Sequence, residues 1–312
     1  MAVYKKTYRP YEGSLTASAT RLFVITRYAM EDLRRSKFLN IFYALTFAYP
    51  LVSALLIYLA HNTSALQLIN FGGGPGGGGP GGPQGLARII SINIVFFNSL
   101  LGWQSMLALF LAAFIGPGLI SPDLANSALS LYLARPFSRV EYVLGKMSVL
   151  VLLMSLMTWI PCLLIFGLQG YLEGGGWAAD NARIAWGMFF GAWIWIILLS
   201  LLALALSAWV KWKPAAGALV FGVYFVGAAF GAVVNAVQRT NWGSLFDVGY
   251  LVGSVWVRLM EGVARTTDGP IFFRSPQGHE IPIGWCLFAL LVLGGACLYM
   301  LARRIRGAEV VR

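Results

Sequence analysis

Charge is scarce in this chain of 312 residues. Only 11% are Asp, Glu, Lys or Arg, against about 25% in ordinary soluble domains. With 58% hydrophobic residues and a mean hydropathy of +0.72, this argues against a soluble globular enzyme, a disordered chain or a nucleic-acid binder. Histidine is nearly missing. The chain has His61 and His279 alone, too few for a His-based metal site without further ligands nearby. Cysteine is limited to Cys162, Cys286 and Cys297, each in an apolar run and none in a CxxC spacing, so small buried residues are expected. No Gly-x-Ser-x-Gly and no His-Glu-x-x-His is present, which removes the usual signatures of a serine hydrolase or a zinc protease. The first 37 residues are polar and basic, with no early apolar stretch before a small-residue cleavage site; a cleavable signal is therefore not expected.

What the chain has in quantity is long apolar runs. Six are long enough to cross a bilayer: residues 38–60, 89–120, 143–168, 184–210, 215–237 and 282–302. A seventh, 244–260, is shorter and contains Asp247 and Arg258. A charge at the bilayer centre costs about 2.5–3.5 kcal/mol on insertion scales, so this run is expected as an interfacial or re-entrant helix. The expected fold class is all-α and polytopic: a cytoplasmic N-terminus over 1–37, a transmembrane domain over 38–302 and a cytoplasmic tail over 303–312.

Charge placement gives an orientation. With six spans and both termini inside, the inner segments carry the whole net charge of +11. The outer segments set Arg88, Arg183, Arg239, Arg258, Arg265 and Arg274 against an equal number of acids. That split follows the positive-inside rule, and a seventh span would put the Arg303-Arg304-Ile305-Arg306 tail outside. Within 16–37, Leu22, Ile25, Ala29 and Leu33 recur at helical spacing, while Arg21, Arg27, Arg34 and Arg35 fall mainly elsewhere around the helix. This predicts a basic amphipathic helix on the inner membrane surface. The run 72–83 is wholly Gly and Pro. It lacks the Gly-Lys-Ser/Thr of a phosphate-binding loop and is expected as a flexible outer linker.

Acids, bases and histidines are missing from the middle of the spans, which hold polar uncharged groups such as Asn93, Asn98, Gln104, Ser155 and Thr158. Ion-coupled transporters usually place ionisable groups there. Energy for any transport would therefore enter from elsewhere.

The segment between the second and third runs is the most informative. Ser121 suits a helix N-cap, Pro122 the first helical position and Asp123 the positive helix end. A helix is predicted from Pro122 to about Ala134, because Pro136 disfavours a helical Arg135. Ser138-Arg139-Val140-Glu141 then forms a capping box for the next helix. Leu129, Leu131, Tyr132 and Leu133 would offer an apolar stripe to a partner.

This loop resembles the cytoplasmic loop of the ABC type-2 permease family, whose members often show an Arg-Pro, a Ser-Arg, an acidic or aromatic pair and a Gly-Lys before the third span. The matching positions are Arg135, Pro136, Ser138, Arg139, Glu141, Tyr142, Gly145 and Lys146. The amphipathic N-terminal helix, six spans, inner termini and short helix before the last span are also similar to that family. The resemblance implies a coupling helix, with Asp123, Leu129, Leu131, Tyr132, Leu133, Arg135, Arg139 and Glu141 as partner-binding residues. It also implies a separate ATP-binding subunit that holds ATP and Mg, a second permease chain, and a bacterial cytoplasmic membrane as the site. The chain itself has no Walker A motif, so hydrolysis is expected in the partner and not here. Contact with membrane lipid is expected; contact with nucleic acid is not. The leading function is the permease subunit of a multi-subunit ABC exporter. The alternatives are a non-transporting membrane scaffold or assembly factor and, last, an intramembrane enzyme.

Overall fold

In the computed structural model, residues 18–62, 92–126, 139–210, 212–260 and 281–305 are described. Every element among them is helical. In chain order they are α1 (Ser18–Arg34), α2 (Lys37–Thr46), α3 (Ala48–His61), α4 (Ile94–Ala125), α5 (Arg139–Met157), α6 (Trp159–Glu173), α7 (Trp177–Asp180), α8 (Ala182–Trp209) and α9 (Lys213–Gln238). A 3-10 turn at Trp242–Phe246 follows, then α10 (Val248–Leu259) and α11 (Ile283–Arg304). Six helical stretches are long and apolar enough to cross a membrane: 37–61, 94–123, 139–173, 182–209, 213–238 and 283–304. This is the architecture of a multi-pass membrane protein, and the stretches are called spans 1 to 6 below. The Gly-rich run 72–83 lies outside the described residues.

Spans 1 and 3 are each two helices because of proline. Pro50 has no N–H to offer the Thr46 carbonyl, and the helix breaks at Phe47 between α2 and α3. The freed carbonyl is met from span 2, where Gln104 Nε2 donates to Thr46 O at 3.0 Å, fully buried. Pro161 acts likewise in span 3. The break falls at Thr158, whose hydroxyl turns back to donate to Met154 O at 2.7 Å. Sequence periodicity carried no sign of these interruptions. Gly174 and Gly176, at φ 94° and 146°, then reverse the chain through a backbone region that side-chain-bearing residues avoid.

Burial divides the bundle. Spans 2, 3 and 4 bury 67%, 61% and 67% of their most apolar windows, spans 1, 5 and 6 only 22% each. Span 4 is the hub and packs on spans 2, 3, 5 and 6 and on α10. It runs parallel to span 2, as two helices one full reversal apart in the chain must. Ser105, Gly116 and Ser121 of span 2 meet Trp195, Ala203 and Ser207 of span 4 in that order. Small residues permit the close approach. On the other side of span 2, Pro117 withholds a donor from Ala113 O, and Gly217 of span 5 fills that place. A Cβ on Gly217 would lie 2.5 Å from this oxygen. Gly217→Ala is therefore expected to push span 5 off span 2, at an overpacking cost of about 1–3 kcal/mol. A thermal melt of the purified protein equal to wild type would refute this packing.

Two sequence expectations are amended here. Of the apolar stripe predicted for the N-terminal helix, Ala29 and Leu33, together with Thr26 and Met30, lie on the side that α1 turns onto the protein's own spans. Thr26 is buried, donates to Gly145 O at 3.3 Å and shares a 2.5 Å hydrogen bond with Ser148 of span 3. Arg27, Arg34 and Arg35 stay exposed. The short seventh run is a 3-10 turn followed by α10, capped by Asp247, whose Oδ1 accepts from Tyr250 N at 3.1 Å. Burial raises the Asp247 carboxyl above its ordinary value, while the amide N–H groups of Tyr250 and Gly249 act the other way. At 12 residues, α10 is about 18 Å long, too short to span. It is buried along most of its length, with the Trp256 indole N–H donating to Gly191 O at 2.9 Å. Arg183 of span 4 donates to the carbonyls of Arg258 and Leu259 at its C-terminal end. The three cysteines are buried and free.

Candidate functional site

The residues singled out from sequence flank or fill the segment 127–138. Of these, Leu129, Leu131, Tyr132, Leu133 and Arg135 lie outside the described residues, as do Pro136 and Ser138. Asp123, Arg139 and Glu141 are described, and they sit on the two stems from which the segment leaves and to which it returns.

The first stem differs from expectation. Span 2 does not stop at Ile120. One continuous helix runs from Ile94 to Ala125 through Ser121, Pro122 and Asp123, so no new helix starts at Ser121. The reason is what Ser121 finds on span 4. Ser207 places its hydroxyl between two backbone groups of span 2, donating to Pro117 O at 3.1 Å and accepting from Ser121 N at 3.0 Å. The Ser121 hydroxyl answers within reach of Ser207 O at 3.0 Å and Val210 O at 2.7 Å. Both serines are fully buried. Each such interhelical bond in a membrane interior contributes about 0.6 kcal/mol on average; together they bind the last turn of span 2 to the last turn of span 4.

The second stem begins at Arg139, one residue after the predicted cap, with Glu141 in its first turn. Arg139 is exposed and Glu141 half-buried. One turn further, Tyr142 and Lys146 face the first stem. Asp123 Oδ2 accepts from the Tyr142 hydroxyl at 2.7 Å and from Lys146 Nζ at 2.9 Å. The Asp123 and Lys146 side chains retain 17% and 11% of their exposure, so the ion pair is largely shielded from water. The ammonium also lies 5.8 Å from the centre of the Tyr142 ring, within cation–π range. Asp123 thus faces inward, joining span 2 to span 3, and is not presented to the surface as the resemblance implied for a partner contact.

The C-terminal end of span 6 is tied in the same manner. Arg304 of span 6 donates to Ala208 O of span 4 at 3.3 Å and stacks on Trp209, whose indole N–H donates to Met300 O at 3.2 Å. A cation at a helix C-terminus also complements its dipole. Through Thr26, α1 adds its own contact on span 3. The segment 127–138 therefore leaves from, and returns to, a platform in which spans 2, 3, 4 and 6 are cross-linked by polar groups. These contacts hold the ends of four spans to one another on this side of the bundle.

Among the described residues, no group of three or more His, Cys, Asp and Glu side chains could hold a metal ion. The chain matches no family model and no curated protein.

Sequence reasoning missed Ser207 and Thr26 altogether and used Tyr142 and Lys146 only as motif positions. One signal was available. Asp123 and Lys146 are opposite charges at the facing ends of consecutive apolar runs, and a charge that close to lipid seeks a partner. The serine pair, 86 residues apart, had no such signal.

Proposed function

We propose that this protein is the transmembrane permease subunit of a multi-subunit ABC transporter, acting as an exporter. The support comes from the resemblance of 135–146 to the ABC type-2 permease loop, together with one structural observation: both stems of that loop are braced. In this reading the coupling contact lies in 127–134, beyond the end of α4, and a separate ATP-binding subunit holding ATP and Mg docks on it. A second permease chain completes the pathway. The N-terminal helix, the loop and the basic end of span 6 face the cytoplasm of a bacterial cell, and α10 is a re-entrant helix near the outer leaflet.

The mechanism follows from the braces. When nucleotide-driven motion of the partner moves the loop, soft stems would absorb the movement by bending. Here the Asp123–Lys146 pair carries it into span 3, and the Ser121–Ser207 contact carries it into span 4, the hub of the bundle. The loop then shifts packed helices as bodies, the kind of discrete rearrangement on which alternating access depends.

The test is removal of the apolar anchor. A buried anchor at an interface commonly costs more than about 1 kcal/mol when truncated, and about 1.4 kcal/mol is tenfold in affinity. Leu131→Ala combined with Tyr132→Ala is expected to reduce co-purification of an ATP-hydrolysing subunit by about tenfold or more, while membrane insertion stays normal. Full retention by an inserted double variant would remove the docking role from this segment. If no ATP-binding subunit accompanies the wild-type chain, the transporter reading itself fails.

A further inference from the structure

At the far end of the bundle from this platform, spans 1 and 3 meet in a polar contact that the proposed function does not use. His61 ends α3 and Glu173 ends α6. His61 Nε2 lies 2.8 Å from Glu173 Oε2, and its Nδ1 lies 2.9 Å from the carbonyl of Ile57 one turn back. Gln169 Nε2 donates to the same carboxylate oxygen at 3.0 Å. Both ring nitrogens therefore face acceptors, one a carboxylate and one a backbone carbonyl. A neutral imidazole has a single N–H, and only the imidazolium has two. The full set of contacts exists with the ring charged; with the ring neutral, one acceptor faces a lone pair.

The pair is open to protons from solution, since its side chains keep 23% and 46% of their exposure. Glu173 is the charged group in contact with the ring. Besides the charged groups of α2, α4 and α5, the other titratable groups on these and the neighbouring helices are Tyr43 on α2, Tyr49 and Tyr58 on α3, Tyr142 on α5, Cys162 and Tyr171 on α6, Asp180 on α7 and Arg183 on α8. The charged groups of α2, α4 and α5, among them Asp123 and Lys146, lie at the opposite end of their spans.

We propose that His61 and Glu173 form a pH-sensitive tie between the far ends of spans 1 and 3, closed when the ring is protonated and loosened when it is neutral. Such a tie would let the medium on that side bias how far the peripheral span 1, which buries only 22% of its most apolar window, can separate from the central bundle. This inference does not depend on the permease reading.

The experiment uses the full-length chain in lipid nanodiscs with Cys162, Cys286 and Cys297 replaced by Ala. Nitroxide labels at Tyr58→Cys and Tyr171→Cys report the distance between the two helix ends by pulsed electron resonance. At a pH of about 5.5 one narrow distance is expected, and at about 8.0 a second, longer and broader population should join it. His61→Gln and Glu173→Gln should each abolish the change, while His279→Gln should preserve it. Amide exchange on the unlabelled protein gives a second readout. Corrected for intrinsic rates, the ends of α3 and α6 should exchange about threefold faster or more at the higher pH. A distance distribution or exchange rate that does not change with pH would overturn the proposal, as would a response that survives His61→Gln.

Discussion

Asp123→Ala is expected to destabilise the protein by about 3 kcal/mol, the lower end of the range for breaking a buried ion pair, because both side chains keep a little contact with water. The loss comes less from the missing attraction than from what stays behind. Lys146 Nζ would keep its position with 11% of its exposure and no carboxylate, and the Tyr142 hydroxyl would lose its acceptor. The pairing of the variant with its rescue is diagnostic. Asp123→Leu with Lys146→Met replaces both charges by apolar groups of similar volume, an exchange that is often neutral or stabilising. Thermal melting of the detergent-solubilised chain should show a large drop for the single variant and recovery of most of it in the double. A single variant that melts like wild type would show that the stems are not held by this pair. Under the proposed permease function, the same variant should also show a weakened link between loop and bundle, so that a partner bound at 127–138 drives transport poorly.

Trp195→Ala is expected to cost more, about 3–5 kcal/mol, as large-to-small changes of buried aromatics do. Trp195 is fully buried in the hub helix and packs edge-on to Tyr224 of span 5, with ring centres 6.0 Å apart. Its indole N–H donates to Ser105 O of span 2 at 2.8 Å. One side chain therefore joins spans 2, 4 and 5. Alanine would leave a cavity in the region where the three helices meet and free a buried carbonyl. Trp195→Phe keeps most of the volume and gives up the hydrogen bond, for which about 1 kcal/mol is expected. The order wild type, phenylalanine, alanine in denaturation midpoint is the check. An alanine variant as stable as the phenylalanine one would mean that the site collapses around the loss and that packing at Trp195 does not set stability.

Both variants act through contacts between residues far apart in the chain, and that marks the limit of sequence reading here. The spans were legible within a few residues: 184–210 was expected and 182–209 observed, 282–302 expected and 283–304 observed. The short helix after span 5 was expected over 244–260 and begins, after its 3-10 turn, at Val248. The break in span 3 was not foreseen, although Pro161 was in view, because an interior proline either kinks a helix or is absorbed by neighbours that satisfy the freed carbonyl. The continuation of span 2 through Ser121 and Pro122 was misjudged for a related reason. Ser-Pro-Asp is a sound local start signal, yet Ser207 supplies from another helix the partners that an N-cap would otherwise supply.

By itself, then, the sequence determined the class, the number of spans and the uneven distribution of charge between the two ends of the bundle. Hydropathy summed over some twenty residues, and charge outside the runs, are properties of the local chain that no packing can reverse. Tertiary structure decided which span is central, that α1 sets Thr26 on span 3, and that Asp123 turns inward to Lys146. It also joined His61 to Glu173 across 112 residues. Each of these depends on how a helix is rotated about its axis and which neighbour it meets, and both are chosen by the fit of side chains across helices. A single turn of sequence holds no record of that fit.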